Sequence, residues 1–148
     1  MDVDNIFGLF GFNKNNEDKD QENLELFRNT PLFKAGMFKK MIFNGINFRT
    51  QIVKFFHKAD PEIGMDGMEE AGDYMMYTRA YFWIEKCNLE DDEWQHALEY
   101  YSDDEMITSL KLCIKYFEEI EEFEKCAFLK KIQDYIEKTV LLEKLKET

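Results

Sequence analysis

Histidine, proline, glycine and cysteine are all scarce in this chain: two, two, seven and three among 148 residues. So little Pro and Gly excludes a collagen-like or low-complexity chain. The cysteines, Cys87, Cys113 and Cys126, are odd in number and scattered in spacing. That fits a reducing compartment rather than a disulfide framework. No apolar run approaches the roughly 20 residues that span a bilayer, and the acidic start (Asp2, Asp4) is unlike a secretory signal. The expectation is a cytoplasmic chain without membrane association. Catalytic signatures are missing as well. There is no CxxC, no Gly-rich phosphate loop, no GxSxG and no HExxH, so neither enzymatic activity nor a cofactor is expected.

What is abundant is aromatic residues (16%) and charge (34%), with a net charge of −12. At this length one domain can bury roughly 70% of its unfolded surface, enough for a core without staples. The charge is unevenly placed. Leu24 to Lys58 carries +6, whereas residues 1–23 carry −4 and residues 59–148 carry −14. The positive block interleaves Lys34, Lys39, Lys40, Arg49, Lys54 and Lys58 with phenylalanine, a pattern able to meet nucleic acid by charge and stacking. An overall −12 opposes general phosphate contact. The phenylalanines are expected in a core, and some of the basic block is expected to pair with acids of the same molecule. Thirteen acids against Lys111 and Lys115 in residues 90–124 make the complementary surface.

Along the chain, Ile6, Phe7, Leu9, Phe10 and Phe12 surround Gly8 and Gly11, and the polar NKNNEDKDQEN follows. Two readings stay open for this stretch: a peptide folded onto its own core, or a partner-docking peptide on a flexible linker. The division expected is 1–23 as a flexible arm and 24–148 as a single helical domain. Asn29-Thr30-Pro31 starts a helix, with a cap followed by Pro in the first turn. Asn44-Gly45 then allows three structures. It can cap a helix from Pro31, turn a hairpin within residues 37–53, or sit inside one long helix at a cost of about 1 kcal/mol. Asp60-Pro61 ends the segment. The acids of DPEIGMDG do not form a calcium loop, which would need Gly and Glu where Met65 and Ala71 stand.

The next helix is apolar nearly all round and is expected to be central. Ser102-Asp103-Asp104-Glu105 has the form of a capping box. Two apolar seams, Ile107 to Ile120 and Phe123 to Val140, make an antiparallel helical hairpin turning near Glu119–Glu122. Cys113 and Cys126 should face each other there as buried apolar thiols, because packed helix axes are too far apart for a disulfide. Glu93-x-x-His96 has the spacing of a di-iron ligand pair. The second Glu-x-x-His is missing, since Lys54 precedes His57, so no metal site is expected.

Glu121-Glu122-Phe123-Glu124-Lys125-Cys126-Ala127-Phe128-Leu129-Lys130 resembles the UVR motif, a helical hairpin with a Phe-Glu-x-Ala-Ala-x-Leu-Arg core. Cys126 stands in place of the first Ala and Lys130 in place of the Arg. The resemblance covers about 35 residues near 105–140. It implies a hairpin that binds a partner subunit, and no helicase or nuclease sequence accompanies it.

The fold expected is all-α, with helices near 31–43, 50–59, 68–87, 91–101, 103–118 and 122–146; an α+β fold with the 37–53 hairpin is the alternative. The function expected is a non-catalytic interaction protein, an adaptor or structural component with a protein partner, as a homo- or hetero-oligomer. Apolar Leu141, Leu142 and Leu145 offer a C-terminal association surface. A short acidic chain without enzymatic motifs also suits a phage-encoded protein, either a virion or assembly component or an acidic inhibitor that imitates nucleic acid. Nucleic-acid binding through residues 34–58 is the remaining alternative.

Overall fold

The computed structural model describes residues 14–62 and 64–147. They form six helices: α1 (Lys14–Arg28), α2 (Pro31–Ala59), α3 (Met65–Ile84), α4 (Asp92–Tyr100), α5 (Asp104–Glu119) and α6 (Phe123–Lys146). No strand occurs among the described residues. The all-α expectation holds, and the hairpin at 37–53 is replaced by helix. The apolar residues Ile6, Phe7, Leu9, Phe10 and Phe12 lie outside the described residues.

Three elements differ from the sequence reading, the simplest being α3, which spans Met65–Ile84 where 68–87 is expected. The polar stretch expected to be a flexible linker is helical from Lys14 onward. It has no apolar periodicity because it has no buried face: residues 18–28 are all exposed. Glu17 in its first turn and Arg28 in its last complement the helix dipole. The third difference is the basic block, where α2 runs unbroken through Asn44-Gly45 in place of two helices at 31–43 and 50–59. Its start is as expected. The Thr30 hydroxyl accepts the Phe33 N–H at 3.3 Å and donates to the Phe27 carbonyl at 2.7 Å, with Pro31 in the first turn.

Gly45 is tolerated inside α2 because a neighbour occupies the space of its missing side chain. A Cβ there would lie 2.7 Å from Cγ of Met76 on α3. Gly36 admits Tyr101, at the end of α4, in the same way: a Cβ there would lie 3.0 Å from the tyrosine Cζ. Both glycines are points of close approach rather than helix ends.

Helices α2 and α3 are antiparallel, paired through Phe33 with Trp83, Gly45 with Met76 and Arg49 with Asp73. Helices α5 and α6 form the second antiparallel pair, turning through Ile120–Glu122 as the seams predict. The core lies between the pairs and under α4. Phe38 from α2, Ile84 from α3, Leu98 from α4, Leu110 and Phe117 from α5, and Leu129 and Ile136 from α6 are fully buried. Tyr77 stacks on Tyr116 with ring centroids 4.5 Å apart, and Tyr81 meets Phe117 edge-on at 5.5 Å. All three cysteines are free and buried. The Cys126 thiol lies 3.5 Å from the Ile114 carbonyl, where it behaves as a small apolar group with one weak donor contact.

Candidate functional site

The α2–α3 pair is longer than the core it packs on. Ile42 and Met76 are buried, but none of the residues between them whose side chains are described is; Ile46, half-buried, makes the last contact of that stretch of α2 with the core. The distal halves of the two helices, with the turn at Pro61–Glu62, therefore stand out as a two-helix arm. The Asp60 carboxylate accepts the Glu62 N–H at 3.0 Å in that turn, and the Asp60 N–H closes α2 on the Phe56 carbonyl at 2.9 Å. The arm is apolar although it is not buried. Phe48 is 64% exposed, Phe55 69% and Met75 52%, and Phe82, past the arm on α3, 63%. The apolar sides of α3 that suggest a central helix are thus half bare. Its Tyr77–Ala80–Ile84 face meets the core, and its Met68–Met75–Phe82 face meets none.

These bare faces converge. Met41, Gly45 and Phe48 of α2 and Met68, Gly72 and Met75 of α3 line one groove of about 340 Å³, whose walls also hold Arg49 and Arg79. A second hollow of about 400 Å³, against Met37, Lys40, Met41 and Asn44, continues it along α2. Gly72 widens it, since a Cβ there would meet only Arg49, 3.7 Å away at Cδ. Among the described residues no carboxylate lines either hollow.

The six residues read as a basic face do not share one face. Lys39 turns toward the body of the domain, 2.9 Å from Asp103 Oδ2 and 3.2 Å from Glu105 Oε2. Burial alone would lower the Lys39 pKa. Hydrogen bonds to the two carboxylates outweigh that effect, and the net shift is upward. Arg49 turns inward to Asp73 on α3. Lys34 is half-buried in the first turn of α2. Lys40, Lys54 and Lys58 remain exposed along the side of α2 next to the groove. The expected pairing of the basic block with the acidic segment is therefore seen at one residue, Lys39.

Elsewhere, Leu141, Leu142 and Leu145 are exposed at the end of α6. The His96 ring is not aimed at Glu93; its Nδ1 lies 2.7 Å from the Asp92 carbonyl, to which it donates. Among the described residues no group of three His, Cys, Asp or Glu could hold a metal ion. None of their helices is long and apolar enough to cross a membrane. The thiols are far from reactive, since burial pushes Cys87 up to about 12 and raises Cys113 further. Sequence reasoning missed the groove, although a signal existed. Met41, Gly45, Phe48 and Phe55 on α2, and Met68, Gly72, Met75, Arg79 and Phe82 on α3, recur at alternating steps of four and three or at sevens. That is the spacing of a helix–helix seam. The chain matches no protein-family model, no curated protein and no solved structure.

Proposed function

We propose that the protein is a non-catalytic interaction module, an adaptor or structural component, whose working surface is the α2–α3 arm. One observation carries this reading: between Ile42 and Met76 the chain holds Phe48, Phe55, Met68 and Met75 yet buries none of them. Exposed apolar surface that is contiguous, rather than scattered, is the mark of an association site. The UVR-like character of the α5–α6 hairpin supports the same reading, as do Leu141 and Leu142 at the far end of the molecule. The engagement of Lys39 and Arg49 with carboxylates weighs against nucleic-acid binding through residues 34–58.

The test is the mass of the native assembly in the protein's own source, with cross-linking to locate the contact. An interaction module yields a complex heavier than the chain, cross-linked through Lys40, Lys54 or Lys58. A chain that runs as a monomer and cross-links to nothing removes the reading.

A further inference from the structure

We propose that the groove on the arm seats an amphipathic helix of a partner protein, one whose apolar stripe is flanked by carboxylates. This rests on the arm being an association surface and adds the chemistry of what fits it. The form of the partner follows from the seams. Both walls carry side chains at heptad spacing, which is the pattern that receives the knobs of another helix. An added strand would need a ladder of free backbone donors, and two helices present none. The lining is rich in methionine, whose unbranched side chain adapts to knobs of differing shape.

The charge follows from what surrounds the groove. Arg49 and Arg79 stand in its walls and no described carboxylate does, although Glu69 and Glu70, next to Met68 in the chain, are exposed on α3. The neighbouring row of α2 adds Lys40, Lys54 and Lys58, all exposed, with no acid at Asn44, Asn47 or Gln51 between them. The acid nearest to Arg49, Asp73, is already paired with it. The whole chain carries −12, but at physiological salt charge is screened beyond about 8 Å, so the local rim decides which helix fits.

A second copy of this chain offers no matching helix among the described residues. The exposed end of α6 mixes Glu143 with Lys144 and Lys146. Helix α1 is acidic, but its apolar residues are confined to Leu24, Leu26 and Phe27 near its end rather than spaced along a stripe.

The experiment titrates the full-length chain with two synthetic helices of about five turns. Both have the same leucine stripe, flanked by Glu in one and by Lys in the other. Binding is followed through the methyl resonances of Met68 and Met75. The Glu-flanked helix is expected to saturate the site, move both methyls, and bind at least about tenfold more tightly than the Lys-flanked one, a preference that shrinks with added NaCl. Met75→Glu sets a carboxylate in the groove and Gly72→Leu fills it. Each is expected to weaken binding at least about tenfold while circular dichroism stays helical. Equal affinity for the two peptides, or indifference to both variants, overturns the proposal. So does self-association of the chain that Met75→Glu abolishes, which would assign the groove to a second copy. A natural partner retained by the Met75→Glu chain overturns this inference and leaves the association reading standing.

Discussion

Gly45 and Met76 meet where α2 and α3 cross closely, and the Met76 side chain fills the space a Cβ on residue 45 would need. The same residue type at Gly72 faces open groove, with only Arg49 in ordinary contact range. The two glycines should therefore respond oppositely to substitution. Gly45→Val is expected to destabilise by about 1–3 kcal/mol through overpacking. Gly72→Ala is expected to stabilise helix α3 by roughly 0.5–1 kcal/mol. Thermal unfolding followed by circular dichroism reads both, and a Val variant as stable as the parent would show that the crossing is not tight.

Asp103 serves two partners. One carboxylate oxygen accepts the Met106 N–H at 2.7 Å and caps α5, while the other takes Lys39. The cap is thus one residue later than the capping-box reading places it, and Ser102 instead bonds the Leu98 carbonyl at the end of α4. Asp103→Ala loses a cap and an ion pair and is expected to cost about 1–2 kcal/mol. Lys39→Met loses only partly exposed pairs, at about 0.5–1 kcal/mol. Urea denaturation of the two variants and of the double mutant gives the ordering, and a reversed order would refute the shared role.

Glu121 is the one described non-glycine residue with a positive φ, 62°. The Glu122 N–H bonds the Phe117 carbonyl at 2.8 Å and the Glu121 N–H bonds the Glu118 carbonyl at 3.1 Å, the pattern of a Schellman C-cap. Glycine belongs at that position, so Glu121→Gly is expected to raise stability by about 1 kcal/mol. A lower melting temperature would contradict this.

Alkali should unfold the protein. Burial raises Cys87 to about 12 from 9.0, and it also raises Cys113, Tyr77 and Tyr81; Lys39 is raised in net by its carboxylates. For each group the folded value lies above the unfolded one. Above pH 9 the unfolded chain therefore binds fewer protons, and stability falls as pH rises. The slope is about 1.4 kcal/mol per pH unit for each group fully engaged, beginning with the thiols and joined by the tyrosines and Lys39 above about pH 10. Denaturant midpoints measured from about pH 7 to 11 should be flat and then decline, and Cys87→Ala should flatten the start of the decline. In the same range a thiol reagent should label the native protein only on unfolding.

The elements legible in the sequence are those that carry both a cap and an apolar seam. Helices α4, α5 and α6 begin and end within a residue or so of expectation, because Asp91, Asp103 and the break at Ile120–Glu122 mark their ends. Helix α1 is hidden because residues 18–28 are all exposed, Phe27 touching α2 at Phe33, and such a helix leaves no period to read. Gly45 misleads because glycine signals a helix end and a close approach alike; only Met76, 31 positions away, decides between them. The groove is hidden for a related reason. An apolar helix side reads as core whether or not a neighbour covers it, so Met68, Met75 and Phe82 look no different in sequence from Tyr77, Ala80 and Ile84.

The arm has one more consequence, for cooperativity. Beyond Ile46, which still packs on the core, residues 47 to 75 are tied to the remainder by no buried side chain among those described, so they can open and re-form while the core of Phe38, Leu110 and Leu129 stays intact. Amide exchange should then divide α2 within a single helix, fast beyond Asn47 and slow before Ile46. A ligand on the arm would slow the first set and leave the second at its own rate, since binding stabilises only the unit that must be formed to bind. One continuous helix thereby spans two thermodynamic units, and the step between them falls just past the Gly45 crossing.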